Sequence, residues 1–248
     1  MLRAIRFGLA LIALLSGAAP TRAEEAVDLL LVLAADVSRS VNHAKFQLQR
    51  QGYAAAISDR RVLEAISSGR HRRIAICFIE WSGANAQQVV IDWSVVGDED
   101  SARKFGDQLL ESRRSFADRT SISAAIDFSM RQFDRAPYKA ARRTIDISGD
   151  GTNNSGRDVA AARDDAIAQG VTINGLAILS EQPLAWNPEH THPPGGLINY
   201  FRDNVIGGVG AFVVAAESFE SFGQAIVKKL ITEIAETPRS IPAPRSGG

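Results

Sequence analysis

Asp36, Ser38 and Ser40 place one carboxylate and two hydroxyls at alternating positions, directly after the apolar run 27–35. All three are hard oxygen donors, the kind that suits Mg²⁺, Mn²⁺ or Ca²⁺ and not soft or redox-active metals. The run before them is rich in Leu and Val and free of charge after Asp28. That pattern predicts a strand buried on both faces. Ligands of open α/β sheets bind beyond the carboxyl ends of the strands, so oxygen donors at this position are placed to hold one. The plainer alternative is a polar strand end with Ser40 capping the helix that follows.

The elements that must position these donors alternate along the chain. A helix is expected over 41–58, with Phe46, Tyr53 and Ile57 on one face, and a short one over 62–66. Strands are expected at 74–81 and 88–96. Only six residues, 82–87, link them, too few for a crossover helix, so this pair must be an antiparallel hairpin. A helix over 98–111 begins with Asp98, Glu99 and Asp100, whose charges favour a helix N-terminus. Thr120 opens the next helix, which runs to about Phe133 with Ile122, Ile126 and Met130 on its apolar stripe. A strand at 144–147 leads to Ser148-Gly149-Asp150-Gly151, and a helix over 159–168 stops at Gly170. After a strand at 171–179 comes a loop rich in Pro, His and Gly, 181–196. Then follow a helical segment at 197–203, a strand at 211–215 and a last helix over 219–234. This order predicts a doubly wound α/β domain: a mostly parallel six-stranded sheet, one antiparallel edge strand, and helices on both faces.

Residues 1–23 read as a secretory signal peptide, with Arg3 and Arg6 before the apolar run 7–15 and Thr21-Arg22-Ala23 at the end. The run is shorter than the roughly 20 residues of a spanning helix, although an uncleaved anchor is the alternative. Cleavage after Ala23 leaves 248 − 23 = 225 residues, enough for one domain at 24–236 and a Pro/Ser/Gly tail at 237–248. Lys plus Arg and Asp plus Glu are both 28, so no bulk charge draws the chain to nucleic acid or anionic lipid. The one cysteine, Cys77, lies in an apolar run and reads as a small core residue. An exported chain without a disulfide points to a bacterial periplasm.

Asp36-Val37-Ser38-Arg39-Ser40, the later Thr120 and then Asp150-Gly151 occur in that order. Together they resemble the metal-ion-dependent adhesion site of von Willebrand factor type A domains. The resemblance extends over about 27–235 and includes the early hairpin. The sequence is also similar to a family of uncharacterised exported bacterial proteins with this domain. The resemblance implies that Ser38, Ser40 and Thr120 coordinate a divalent ion, Mg²⁺ first among the choices. It implies that Asp36 and Asp150 hold the ion directly or through water, and that a partner protein's carboxylate completes the shell. Two carboxylates balance a divalent charge, and Mg²⁺ takes about six oxygens while keeping some of its waters. The family usually has Thr before the final Asp where this chain has Gly149.

Glu189-His190-Thr191-His192 invites a zinc reading. A catalytic zinc site needs three protein ligands, and His43 and His71 are far away in sequence. Pro188 and Pro193 suggest a rigid surface loop, with Trp186 and Tyr200 packing it down. Because the loop follows a parallel strand, it is expected to border the metal face, where His190 and His192 help select the partner without ligating the ion. Enzyme readings fare worse. Asp36 stands where a dinucleotide fold needs a Gly-rich turn, and no phosphate-binding G-x-x-x-x-G-K-[ST] loop or G-x-S-x-G elbow occurs. A phosphatase of the haloacid dehalogenase type needs a D-x-D pair, and Ser38 removes its general acid. The expectation is a binding domain and not an enzyme, with a structural domain carrying a vestigial site as the rival.

Overall fold

The computed structural model describes residues 25–235, so the expected leader and tail lie outside the described residues. The first half runs β1 (Glu25–Ala26), β2 (Leu30–Asp36), α1 (His43–Ile57), α2 (Arg60–Ser67), β3 (Ile74–Trp81), β4 (Gln87–Val96) and α3 (Glu99–Glu111). It continues through α4 (Ile122–Asp134), β5 (Tyr138–Lys139), β6 (Arg143–Gly149), α5 (Val159–Ala168) and β7 (Thr172–Ile178). The last part holds α6 (Pro188–Thr191), α7 (Leu197–Tyr200), a π-helical turn (Phe201–Val205), β8 (Val213–Ala216) and α8 (Phe222–Ala235).

The main sheet has six strands in the order β4-β3-β2-β6-β7-β8. Every pairing is parallel except β3 with β4, the hairpin that its short connection required. Alternate residues of β2 feed two cores, as the period of a strand dictates. Leu31, Leu33 and Ala35 pack with Phe46, Tyr53, Phe105, Phe222 and Ile226, hence with α1, α3 and α8. Leu30, Val32 and Ala34 pack on the other face with Ile122, Ile126, Ala162 and Phe201. Cys77 lies fully buried in this second core.

The chain winds outward in both directions from the central pair β2 and β6, which makes their carboxyl ends a topological switch point. In register, Ala35 pairs with Ser148, so Asp36 stands beside Gly149.

Several boundaries depart from the sequence reading. The helix after Thr120 is capped by Ser121, whose hydroxyl accepts from Ala124 N at 3.3 Å. Thr120 therefore stands one residue outside the helix with its side chain uncommitted to capping. The segment 197–203 is a short α-helix running into a π-helical turn. The last helix begins at Phe222, because Phe219 precedes it in a turn. β1 and β5 form a separate two-residue parallel ladder that carries no periodic signal.

Candidate metal centre

Asp36, Ser38, Ser40, Thr120 and Asp150 come together at the switch point, and none is more than 7% exposed. Asp36 ends β2, and its Oδ1 accepts the backbone N–H of Ser38 at 2.7 Å, which curls the turn after the strand. That turn brings Ser38 Oγ to 3.1 Å from Ser40 Oγ. Ser40 Oγ donates to Asp150 Oδ1 at 2.5 Å, joining the turn after β2 to the turn after β6.

The loop that carries Thr120 is tied to the first turn by charged groups. Arg114 donates to the carbonyls of Val37 and Ser38 at 2.6 and 2.9 Å. Glu80, buried at the end of β3, accepts Ser115 N–H at 2.8 Å and pairs with the buried Arg50 of α1. Asn154 completes the frame from the other side: its Oδ1 accepts Thr120 N–H at 3.0 Å.

Gly149, the departure from the adhesion-site pattern, has a steric reason. A Cβ there would lie 3.2 Å from Asp36 Oδ2 and 3.5 Å from the Trp81 ring. The missing side chain leaves room for the Asp36 carboxylate.

His190 and His192 part company. His192 is exposed, as a surface loop implies, whereas His190 is 2% exposed and belongs to the site. Its ring lies against Gly151, where an added Cβ would come 2.2 Å from Cε1 and Nε2. Its Nε2 is 3.2 Å from Thr120 Oγ1, and its Nδ1 is 3.4 Å from Asn154 Nδ2. The Thr152 hydroxyl also lies 3.4 Å from Nδ1, so both ring nitrogens face hydrogen-bonding groups of the site. Burial, opposed by the charge of Asp150, holds this imidazole below its ordinary pKa and hence neutral. Nε2 faces Thr120 and Nδ1 faces Asn154 and Thr152, so both ring nitrogens are engaged by protein groups. Among the described residues no group of three His, Cys, Asp or Glu is placed to hold a metal. Trp186, expected to pack the loop down, is 66% exposed. Tyr200 does pack inward, its hydroxyl accepting Asn153 N–H at 3.0 Å.

The electrostatics fit a divalent ion. Burial first and the neighbouring Asp150 second push the Asp36 carboxyl up to about 8, against the hydrogen bonds from Ser38. Asp36 Oδ2 is buried without a hydrogen-bond partner among the described residues, an arrangement that costs free energy unless a cation or proton meets it. Hard hydroxyl and carboxylate oxygens around two like charges suit Mg²⁺ or Mn²⁺. When bound, such an ion would supply a Lewis-acidic position for an oxygen ligand. One cation is already near. Lys45 Nζ, from α1, lies 3.4 Å from Asp150 Oδ2 and 3.1 Å from the Ser40 carbonyl, over the Phe219 ring. Lys45, Arg114 and His190 are the site residues that the sequence reading did not assign to the ion. Only the glycine at 151, a mark of close approach, hinted at His190.

Solved structures place the fold. A pilus adhesin, SpaC from Lactobacillus rhamnosus GG, superposes with a TM-score of 0.58 at 11% identity over 84% of this chain and 31% of its own. Proximal thread matrix protein 1 from the mussel byssus, in a form described with a zinc-occupied metal-ion-dependent adhesion site, gives 0.58 at 15% identity over 86% and 50%. A von Willebrand factor type A protein from Catenulispora acidiphila gives 0.55 at 14% identity over 84% and 42%. This chain thus spans 31% to 50% of the length of those proteins. No curated protein matches it. Residues 26–238 match the family model described as "Protein of unknown function (DUF1194)", and the chain belongs to that family, on a von Willebrand A-like fold.

Proposed function

We propose that the chain is an exported protein-binding domain of the adhesion type, in which a divalent cation, Mg²⁺ by preference, recruits a carboxylate from a partner protein. Asp36 carries the reading: its buried Oδ2 has no hydrogen-bond partner among the described residues, beside a second carboxylate and three hydroxyls at the switch point of the sheet. Ser38, Ser40 and Thr120 would offer the ion neutral oxygens, and Asp36 and Asp150 would balance its charge. A shell filled by neutral hydroxyls as well as carboxylates leaves the ion electrophilic enough to attract a further anionic ligand. The von Willebrand A domains of similar fold, one of them with zinc in this kind of site, support the reading.

Titration calorimetry with Mg²⁺ and Mn²⁺ tests it. The wild type should bind one divalent ion, Asp36→Ala should bind none, and a pull-down from periplasmic extract should recover a partner in Mg²⁺ but not in chelator. Export is tested by the mature N-terminus, expected at Glu24 by mass spectrometry. No helix among the described residues is long and apolar enough to cross a membrane. One observation favours a structural domain without metal: Lys45 already stands beside Asp150. Under that reading calorimetry gives no heat with any divalent ion.

A further inference from the structure

A cavity of about 370 Å³ opens beside the proposed ion position, with Ser40 and Thr120 in its wall. It is at the small end of ligand clefts, sized for a few side chains of a partner. Three features of its lining are not used by the ion. Arg119, from the loop before α4, is exposed, and its guanidinium forms no hydrogen bond or ion pair among the described residues. Arg39, 67% exposed in its side chain, reaches only Asp118, at 3.8 Å and in water, a pair worth little. Trp186 keeps 66% of its surface in solvent, and of the three large exposed hydrophobics among the described residues it is the one that lines this cavity.

Charge decides what fits. A divalent ion would balance Asp36 and Asp150, and Lys45 beside Asp150 adds a positive charge. The wall then carries two arginines against one aspartate, Asp118, an excess of one positive charge. Guanidinium groups pair with carboxylates through two parallel hydrogen bonds, a geometry that a lysine or a helix end does not supply. An exposed indole beside them offers a large rigid apolar face, and Trp and Arg are the residue types over-represented where binding energy concentrates.

We propose that this cavity is the docking groove for a doubly acidic peptide segment bearing a large apolar side chain. One carboxylate meets the ion, the second pairs with Arg119, and the apolar side chain covers Trp186. The inference rests on the metal-dependent reading above and adds the chemistry of the partner to it. Arg39 can release Asp118 to strengthen the second contact, because the existing pair is long and solvated.

The test is selection of displayed random peptides on the mature protein in Mg²⁺, counter-selected in chelator. Winning sequences should carry two acidic residues close to an aromatic or large aliphatic one. Arg119→Gln and Trp186→Ala should each weaken the best peptide about ten-fold or more, as loss of an anchor residue does. Both residues are exposed, so folding is untouched, and Mg²⁺ affinity by calorimetry should stay at the wild-type value. Winners with a single acid and no apolar residue would overturn the proposal. So would variants that bind the best peptide as wild type does, or a Mg²⁺-loaded protein that selects nothing. Absence of Mg²⁺ binding in the calorimeter, or winners that survive chelator, would instead remove the metal-dependent reading itself.

Discussion

Asp146 and Asp150 lie on one short stretch of chain, β6 and the turn after it, and both are shut away from water. Asp146 faces the core under α8. There Lys229 Nζ, itself fully buried, lies 2.8 Å from Asp146 Oδ1 and pairs also with Glu233. Asn174 of β7 donates to Glu233 Oε1 at 2.9 Å, while Asp146 Oδ2 and Glu233 Oε2, like Asp36 Oδ2, are buried without a hydrogen-bond partner among the described residues. Asp150 faces a second carboxylate, Asp36, and the Ser40 hydroxyl, and its cation is the partly exposed Lys45 at 3.4 Å. Burial raises a carboxyl in each place, Asp146 to about 7 and Asp36 to about 8. The inner cluster has a resident ammonium that lowers Asp146 again, whereas Asp36 has no ion pair among the described residues and feels Arg114 only through its charge. The core cluster holds a fully buried ammonium between its carboxylates. At the sheet edge the paired cation, Lys45, is partly exposed and stands against Asp150 alone.

Breaking each region separately sharpens that contrast. Lys229→Met leaves Asp146 and Glu233 together in the core without a cation, and should cost about 3–5 kcal/mol in urea unfolding at pH 8. Asp36→Ala removes one of two crowded like charges, and in chelator it should be as stable as wild type or more so. Equal losses in the two variants would mean that both clusters are structural.

Proton linkage gives the next largest effect. Unfolded, both aspartates ionise near a pKa of about 3.9. Folded, they keep their protons to about 7 and about 8. The folded state therefore binds more protons across that span, so stability falls as pH rises from about 4 and levels off above the folded values. Each group contributes on the order of 1 kcal/mol per pH unit within its window. Asp146→Asn should remove the part that ends near 7. Saturating Mg²⁺ or Asp36→Asn should remove the part that ends near 8. A slope that Mg²⁺ leaves intact would separate Asp36 from the ion.

Smaller effects probe the groups around the site. Gly151→Ala sets a Cβ into the space of the His190 ring, which cannot move freely because it is buried. Overpacking of that kind costs about 1–3 kcal/mol. Mg²⁺ affinity should fall with it as Thr120 loses its imidazole partner, while His192→Ala should change neither. Lys45→Met withdraws the competing ammonium from Asp150 and should raise Mg²⁺ affinity about two- to five-fold, since such a partly solvated pair is worth up to about 1 kcal/mol. Unchanged affinity would show that Lys45 does not compete.

The sheet was legible because burial imposes visible patterns: unbroken apolar strands at β2 and β3, a connection too short to cross over, and Gly170 in the left-handed conformation at the end of α5. The five oxygen donors were legible because each follows a buried strand or precedes a helix. What escaped was long-range. Lys45 on α1 reads as one more solvated charge, and nothing local says that its ammonium reaches a turn 105 residues away. Pro188 and Pro193 suggested a surface loop, yet His190 between them turns inward because Gly151 opens a slot for its ring. Trp186 points outward against the usual preference of a large ring for burial. The ladder of β1 with β5 is only two residues long, below any detectable period.

Thermal unfolding of wild type and Asp36→Ala, each in chelator and in excess Mg²⁺, tests the central claim most directly. At a hundred times the dissociation constant, binding should stabilise the wild type by about 2.7 kcal/mol through mass action. Asp36→Ala should start at or above the wild-type midpoint in chelator and gain little from the ion. A wild type whose midpoint does not move with millimolar Mg²⁺ or Mn²⁺ would contradict the account and leave Asp36 and Asp150 a purely structural pair.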